Sequence, residues 1–275
     1  MKLSPTEMRN ERTMHIDRAD TATMLKLIND ENRRSVDAVE AAIPEIARAV
    51  DAVAVALAAG GRLVYVGAGT SGRLATADAA ECPPTFGVDY NTVIAIMAGG
   101  ERAITRASEN IEDLADAGVR DANERNITSA DVVMGISASG NADYVAAVLE
   151  YAKSLGCTTV SLSSNSDCKI GRIADIAIFT DTGAEAITGS TRLKAGNAQK
   201  MVMNMISTAA MVKTGKVYEN LMINLRPTNI KLRGRMIRIT RDILGVDEIE
   251  AEALLEAAEF SIPRAIEIKK ERNDG

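Results

Sequence analysis

Histidine is nearly absent from this sequence: the one copy, His15, sits in the N-terminal arm. That leaves no material for a multi-histidine metal site and almost none for a histidine-based triad. Proton transfer would fall to carboxylates, lysines, hydroxyls or backbone groups. Cysteine is scarce too. Cys82, Cys157 and Cys168 form neither a C-x-x-C pair nor an even disulfide set, as suits a reducing cytoplasm. Positive charge is in deficit, 32 Lys and Arg against 38 Asp and Glu for a net charge of −6. Nucleic acid or an anionic membrane is therefore excluded as the main partner. Long apolar runs are missing: "AVDAVAVALAAGG" is broken by Asp51 and too short to span a bilayer. The opening "MKLSPTEMRNERT" is charged and lacks the apolar stretch of a signal peptide. Internal repeats and low-complexity linkers are also absent. What is left is a soluble cytoplasmic protein of 275 residues, 46% hydrophobic, long enough for one large domain with a small appendage.

What is present is an alternation of strands and helices. "DTATMLKLINDENRRSVDAVEAA" predicts an amphipathic helix, and Pro44 takes the first position of a second. In that second helix Ile46, Val50, Val53 and Leu57 share a face, and Gly60-Gly61 ends it. From Arg62 on, "RLVYVGAG", "NTVIAIMAGG", "DVVMGISASG", "CTTVSLSS" and "ADIAIFTD" read as buried strands. "NADYVAAVLEYAKSLG" is a helix between two of them, and "KAGNAQKMVMNMISTAAMVKTG" a largely apolar helix for a core or subunit interface. Its methionines read as gap-filling core residues. The pattern predicts an α/β chain with a parallel sheet covered on both faces. Residues 1–228 are assigned to the main domain with an N-terminal helical arm, and 229–275 to a helical appendage.

Two loops at the carboxyl ends of strands carry the chemistry, since ligands of open parallel sheets bind there. Gly67 to Gly72 spells G-x-G-x-x-G, and Ser137-Ala138-Ser139-Gly140 follows "DVVMGI". Both put small residues and hydroxyls where a helix begins, so N–H and O–H groups can surround an anion. A dinucleotide needs an acidic residue ending the second strand, about twenty positions past the last glycine. Asp89 precedes that strand, and Glu101 lies 29 positions past Gly72. Thr70 and Ser71 suit a compact phosphomonoester better. Ser137 and Ser139 taken alone read equally as a polar turn capping a helix.

The stretches "VGAGTSGRL", "DAAECPPTFG", "AGGERAITRASENIED", "GISASG", "EYAKSLG", "TGSTRLKAGNAQKMVMNM" and "NLMINLRPTNIKL" occur in collinear order. Together they resemble the N-acetylmuramic acid 6-phosphate etherases of the sugar isomerase (SIS) domain superfamily. The resemblance runs from "TEMRNERTMHID" to about Leu232, and "ECPPTFG" and "GSTRLKAG" are its most specific pieces. It implies a three-layer α/β/α sandwich with a five-stranded parallel sheet, N-terminal helices and a small C-terminal helical appendage. It also implies a homodimer with sites near the subunit interface. The implied reaction cleaves the D-lactyl ether of the amino sugar phosphate, giving N-acetylglucosamine 6-phosphate and D-lactate during recycling of cell-wall sugars. No metal or organic cofactor is expected.

By the same resemblance, Glu81 and Glu112 are the catalytic acid and base, in either order. Glu112 is preferred over the neighbouring Glu109 for its distance from "ECPP" and the following Asp113. Composition alone would make each a surface carboxylate; a functional one is expected to be partly desolvated. Phosphate is assigned to Thr70, Ser71, Ser137 and Ser139, with Gly72 and Gly140 giving backbone access. Arg192 and Lys194 either reach the substrate or are helix-start charges pairing with Glu185, and Arg73 is a candidate dimer contact. Asn141 and Ala142 depart from the arginine and threonine usual after "SASG", and the chain stops short of the family's last helix. Two other uses of the fold are a non-catalytic sugar-phosphate regulator and a sugar-phosphate isomerase. The single SIS module and the retained glutamates weigh against the first, and "ECPPTFG" against the second.

Overall fold

The structure, a computed structural model, describes residues 4–108, 110–227 and 229–273. The chain forms two compact units: residues through Ala80 together with Asn91–Ala210, and Glu81–Tyr90 together with the residues from Met211 on.

In the first unit, α1 (Thr21–Ala41) and α2 (Ile43–Ala58) precede the sheet. Asp20 caps α1, its carboxylate accepting from the Thr23 N–H at 3.1 Å, and Pro44 occupies the first turn of α2. Then follow β1 (Leu63–Gly67), α3 (Gly69–Phe86), β2 (Val93–Met97), α4 (Gly100–Thr105), α5 (Ala115–Glu124) and β3 (Val132–Ile136). They lead into α6 (Asp143–Ser154), β4 (Thr158–Ser163), α7 (Lys169–Ile173), β5 (Ile176–Phe179) and α8 (Lys194–Lys213). The five strands sit where the apolar runs predicted them. All pair in parallel in the order β2-β1-β3-β4-β5, the doubly wound arrangement of the expected three-layer α/β/α sandwich.

Alternation along each strand divides the core between the two faces. Val64, Val66, Ile96 and Val133 pack with Val145, Val148 and Leu149 of α6, joined by Ala122 of α5 and Ile170 of α7. Tyr65 points the other way, where its hydroxyl donates to Asp78 of α3 at 2.9 Å and meets the Met203 carbonyl of α8 at 3.4 Å. Every residue of β1 and β3 is buried, as continuous apolar runs require of central parallel strands.

The second unit holds the end of α3, a two-residue hairpin of β6 (Val217–Tyr218) and β7 (Leu221–Met222), and α9 (Ile230–Leu244), α10 (Glu248–Ala257) and α11 (Ile262–Asn273). Its core joins Ile223 and Leu225 to Met236, Ile239, Leu254, Leu255 and Ile262. Asn229 and Asp247 cap α9 and α10, accepting from Leu232 and Glu250 N–H at 2.9 and 2.8 Å. α3 runs on through Pro83 and Pro84 to Phe86. Neither proline has an N–H, so the carbonyls four residues earlier, at Ala79 and Ala80, go without their helical bonds in these final turns.

A buried ionic cluster in the first unit fixes the N-terminal arm. The Lys194 ammonium, fully buried, lies 2.5 Å from Glu31 Oε2 and donates to the Ala184 carbonyl at 2.6 Å. Glu31 also accepts from Asn10 at 2.7 Å and from Arg12 at 2.5 and 3.1 Å. Thr13 donates to the Ala186 carbonyl, so the arm is bound to the segment before α8. Burial alone would raise the Glu31 pKa. The hydrogen bonds from Arg12, Lys194 and Asn10 outweigh it and carry the carboxyl down from 4.5 to about 2.

Because that pKa is depressed on folding, its contribution to stability is fully present above pH 4.5 and lost as the pH falls towards 2. The shift corresponds to roughly 3 kcal/mol. Glu31→Gln is expected to flatten this acid limb and to destabilise by about 3–5 kcal/mol near neutrality, with Lys194 left buried without its counter-charge. Urea unfolding of both proteins from pH 2 to 7 measures the two effects; parallel pH profiles would refute the assignment.

Candidate functional site

The strand order determines where a ligand can enter. β1 and β3 are neighbours and end level, Gly67 standing opposite Ile136, while their chains leave for opposite faces through α3 and α6. The crevice between diverging loops is the topological switch point of such a sheet. A cavity of about 280 Å³ opens there, and all of its lining belongs to the first unit. Ala68, Gly69, Thr70 and Ser71 come from the first loop, and Ser137, Ala138, Ser139 and Ala142 from the second. Glu112, Glu7, Gly189 and Thr191 complete the wall.

The first loop passes directly from β1 into α3. Gly72 must be glycine, for a Cβ there would stand 2.5 Å from the Gly67 carbonyl oxygen and 2.2 Å from Met97 Sδ. This tight return points the free N–H groups of the first turn of α3 at the cavity. The second loop is built by its own hydroxyls. Ser137 Oγ accepts from Gly140 N–H at 3.1 Å, Ser139 Oγ accepts from Asn141 N–H at 3.2 Å, and the two hydroxyls are 3.3 Å apart. The polar-turn reading of these serines thus holds alongside their place on the cavity wall. Gly140 has φ +71°, and a Cβ would come within 2.4 Å of Cys168 Sγ. The N-cap position of α6, Ala142, has no side-chain cap, leaving that helix terminus open as well.

Thr70, Ser71, Ser137 and Ser139 are therefore brought together, and Gly72 and Gly140 shape the turns behind them. Arg192 is exposed and opens onto a separate groove with Asn197, Lys200 and Met201. Lys194 is spent in the ion pair with Glu31; its backbone N–H and that of Ala195 donate to Glu185, both at 2.9 Å. Glu185 thus caps α8, and burial raises its pKa. Arg73 donates to the Ile104 and Arg106 carbonyls, tethering the segment that leads to Glu112. Asn141 turns outward, donating to the Ser139 carbonyl and accepting from Lys169 N–H. At position 142 a methyl group lines the cavity, where the family resemblance implies a threonine.

Glu112 stands at the rim on a short 3-10 turn, Ile111–Asp113, and is exposed. Glu81, further along α3 and in the second unit, is also exposed. The expected partial desolvation is met at neither, because both side chains stand on solvent-facing turns of the chain. Glu109 lies outside the described residues. Among the described residues no lysine or arginine lines the cavity, so neutral donors and two helix N-termini face any anion there.

Sequence reasoning missed Glu7, Gly189 and Thr191. All three fall in stretches that carry the family resemblance, but nothing in their local pattern gives them a ligand role. The arm brings Glu7 to the wall: Asn165 donates both to Thr6 Oγ1 at 3.3 Å and to the Ser139 carbonyl at 3.0 Å.

These features define a SIS-type α/β protein, and the comparisons agree. The model of the glucokinase regulatory protein N-terminal SIS domain matches residues 45–153. Phosphoheptose isomerases of Francisella tularensis and Neisseria gonorrhoeae share the fold, at TM-scores of 0.50 and 0.51 and 18% and 17% identity. They cover 72% and 70% of this chain, and 100% and 98% of their own. A closer relative is the N-acetylmuramic acid 6-phosphate etherase of Salmonella choleraesuis, 50% identical over 95% of this chain and 88% of that protein. The chain belongs to the N-acetylmuramic acid 6-phosphate etherase family.

Gly140→Ala tests the second loop. Left-handed backbone and the clash with Cys168 together should cost about 3 kcal/mol in urea unfolding. Inorganic phosphate binding, followed by calorimetry, should weaken in the same variant. Unchanged binding would remove this loop from the anion site.

Proposed function

We propose that this protein is a carbon–oxygen lyase that cleaves the D-lactyl ether of N-acetylmuramic acid 6-phosphate, in the cytoplasm and as a homodimer. The products are N-acetylglucosamine 6-phosphate and D-lactate, in the breakdown and recycling of cell-wall amino sugars. The observation that carries this reading is the cavity itself: hydroxyl- and N–H-lined at two helix N-termini, with Glu112 on its rim, in a chain 50% identical to etherases. That lining suits a 6-phosphate.

An alkoxide is a poor leaving group, so direct displacement at C3 is unfavourable. In the open-chain sugar the C2 proton lies beside the aldehyde and can be removed by a carboxylate. The electron pair left at C2 forms the C2–C3 double bond as the C3–O bond breaks, and a carboxylic acid protonates the departing lactate oxygen. Water then adds at C3, its hydroxyl going to C3 and a proton to C2, giving the N-acetylglucosamine product. The phosphate, gripped by Thr70, Ser71, Ser137 and Ser139, fixes C2 and C3 relative to the proton carriers.

Glu112 is the proton carrier we assign to the cavity wall. Glu81 is the second, supplied by the same chain or by a second copy. Lactate release in heavy-oxygen water tests the reaction: wild type should release lactate and carry the label at C3. Glu81→Gln and Glu112→Gln should each lose roughly two to four orders of magnitude in kcat. A ketose phosphate product would mean an isomerase, and no product despite saturable binding a regulator. Mixing the two inactive variants as refolded heterodimers distinguishes the two sources of Glu81. Delivery in trans restores about a quarter of wild-type activity, one intact site in half the dimers; no recovery means each chain uses its own pair.

A further inference from the structure

Gln199 is a polar side chain in a position that tolerates few. It lies on α8, is 1% exposed, and touches the phosphate loop at one point, with Ser71 Oγ 2.9 Å from its amide oxygen. In this orientation the Ser71 hydroxyl spends its only proton on Gln199. The amide nitrogen, equally buried, has no hydrogen-bond partner among the described residues. An unpaired buried donor is among the costlier defects a core can hold.

Turning the amide by 180° about its last side-chain torsion exchanges oxygen and nitrogen within the same volume, and hydrogen bonding decides between the two. The turned amide donates to Ser71 Oγ across the same 2.9 Å. It leaves one N–H and the carbonyl oxygen without partners in place of two N–H groups, which is the cheaper arrangement. The Ser71 proton is then released towards the cavity that Ser71 lines. A hydroxyl that accepts from an amide on one side is also a better donor on the other.

We infer that Gln199 is a positioning residue that aims the Ser71 hydroxyl proton at the substrate's phosphate. Gln199 itself does not line the cavity and acts only through Ser71. The inference rests on the reading of the cavity as a phosphate site.

The test is a double-mutant cycle on KM for N-acetylmuramic acid 6-phosphate and on the affinity for inorganic phosphate measured by calorimetry. Gln199→Met keeps the side-chain length and removes the amide. It and Ser71→Ala should each raise KM and the phosphate dissociation constant about tenfold. The double variant should be no worse than Ser71→Ala alone. Gln199→Glu, whose ionised carboxylate can only accept, should show the same KM penalty with the volume preserved, and serves if the methionine variant does not fold. Additive effects, or an unchanged KM in Gln199→Met and Gln199→Glu, would overturn the inference. If wild type binds inorganic phosphate but releases no lactate, the lyase reading fails while the phosphate arm of the cycle still decides the role of Gln199.

Discussion

The order of five parallel strands is the constraint on which the site depends. With β1 beside β3, right-handed crossovers send α3 to one face of the sheet and α6 to the other. The two loops must part, and no side chain of either helix can fill the gap between them. What faces that gap is the start of each helix, where backbone N–H groups lack partners within the helix. An anion satisfies them, so the affinity of this crevice for a phosphate follows from the topology. The residues of the two loops refine it: Gly72 lets α3 return close to β1, and the serines of the second loop hold their own turn while lining the wall.

The remaining walls come from segments with no place in the sheet, and they are held by charge. Glu31 gathers Lys194, Arg12 and Asn10 at one buried point. Through it the arm that bears Glu7 and the segment that bears Gly189 and Thr191 are fixed to α1 and α8. Removing two charges from water is costly, and hydrogen bonds to nearly every polar atom of the cluster offset that cost here. Such a cluster tolerates few alternative arrangements, which matters more for a binding wall than for a surface. The lysine that looked like a phosphate ligand in "STRLK" therefore serves the site by never touching it.

The legible and illegible parts of the molecule divide along physical lines. Strands written as "RLVYVG" or "DVVMGI" and helix ends marked by Asp20, Pro44 and Gly60 declare themselves locally, because period, capping and backbone freedom are properties of short windows. The loop hydroxyls Thr70, Ser71, Ser137 and Ser139 were legible for the same reason, as they follow recognisable strands. Lys194 was not, since its partner Glu31 lies far away in sequence and only the fold joins them. Glu7 belongs to the same class of long-range placement. The passage of α3 through Pro83 and Pro84 misleads a local reading, because a long helix packed along its length can forgo the two N–H bonds these prolines cannot make near its end.

The absence of lysine and arginine from the described lining of the cavity bears on the chemistry. A cation in this wall would form an ion pair with a nearby carboxylate, useful for binding but adverse to a group proposed to both take and return a proton. Recognition of the phosphate by hydroxyls, amides and helix termini avoids this, since none of them forms an ion pair with a nearby carboxylate. Glu112 is exposed in the free protein. A bound sugar phosphate would cover this carboxylate and exclude water from it, so exposure in the free protein is compatible with the proton-transfer role proposed for it.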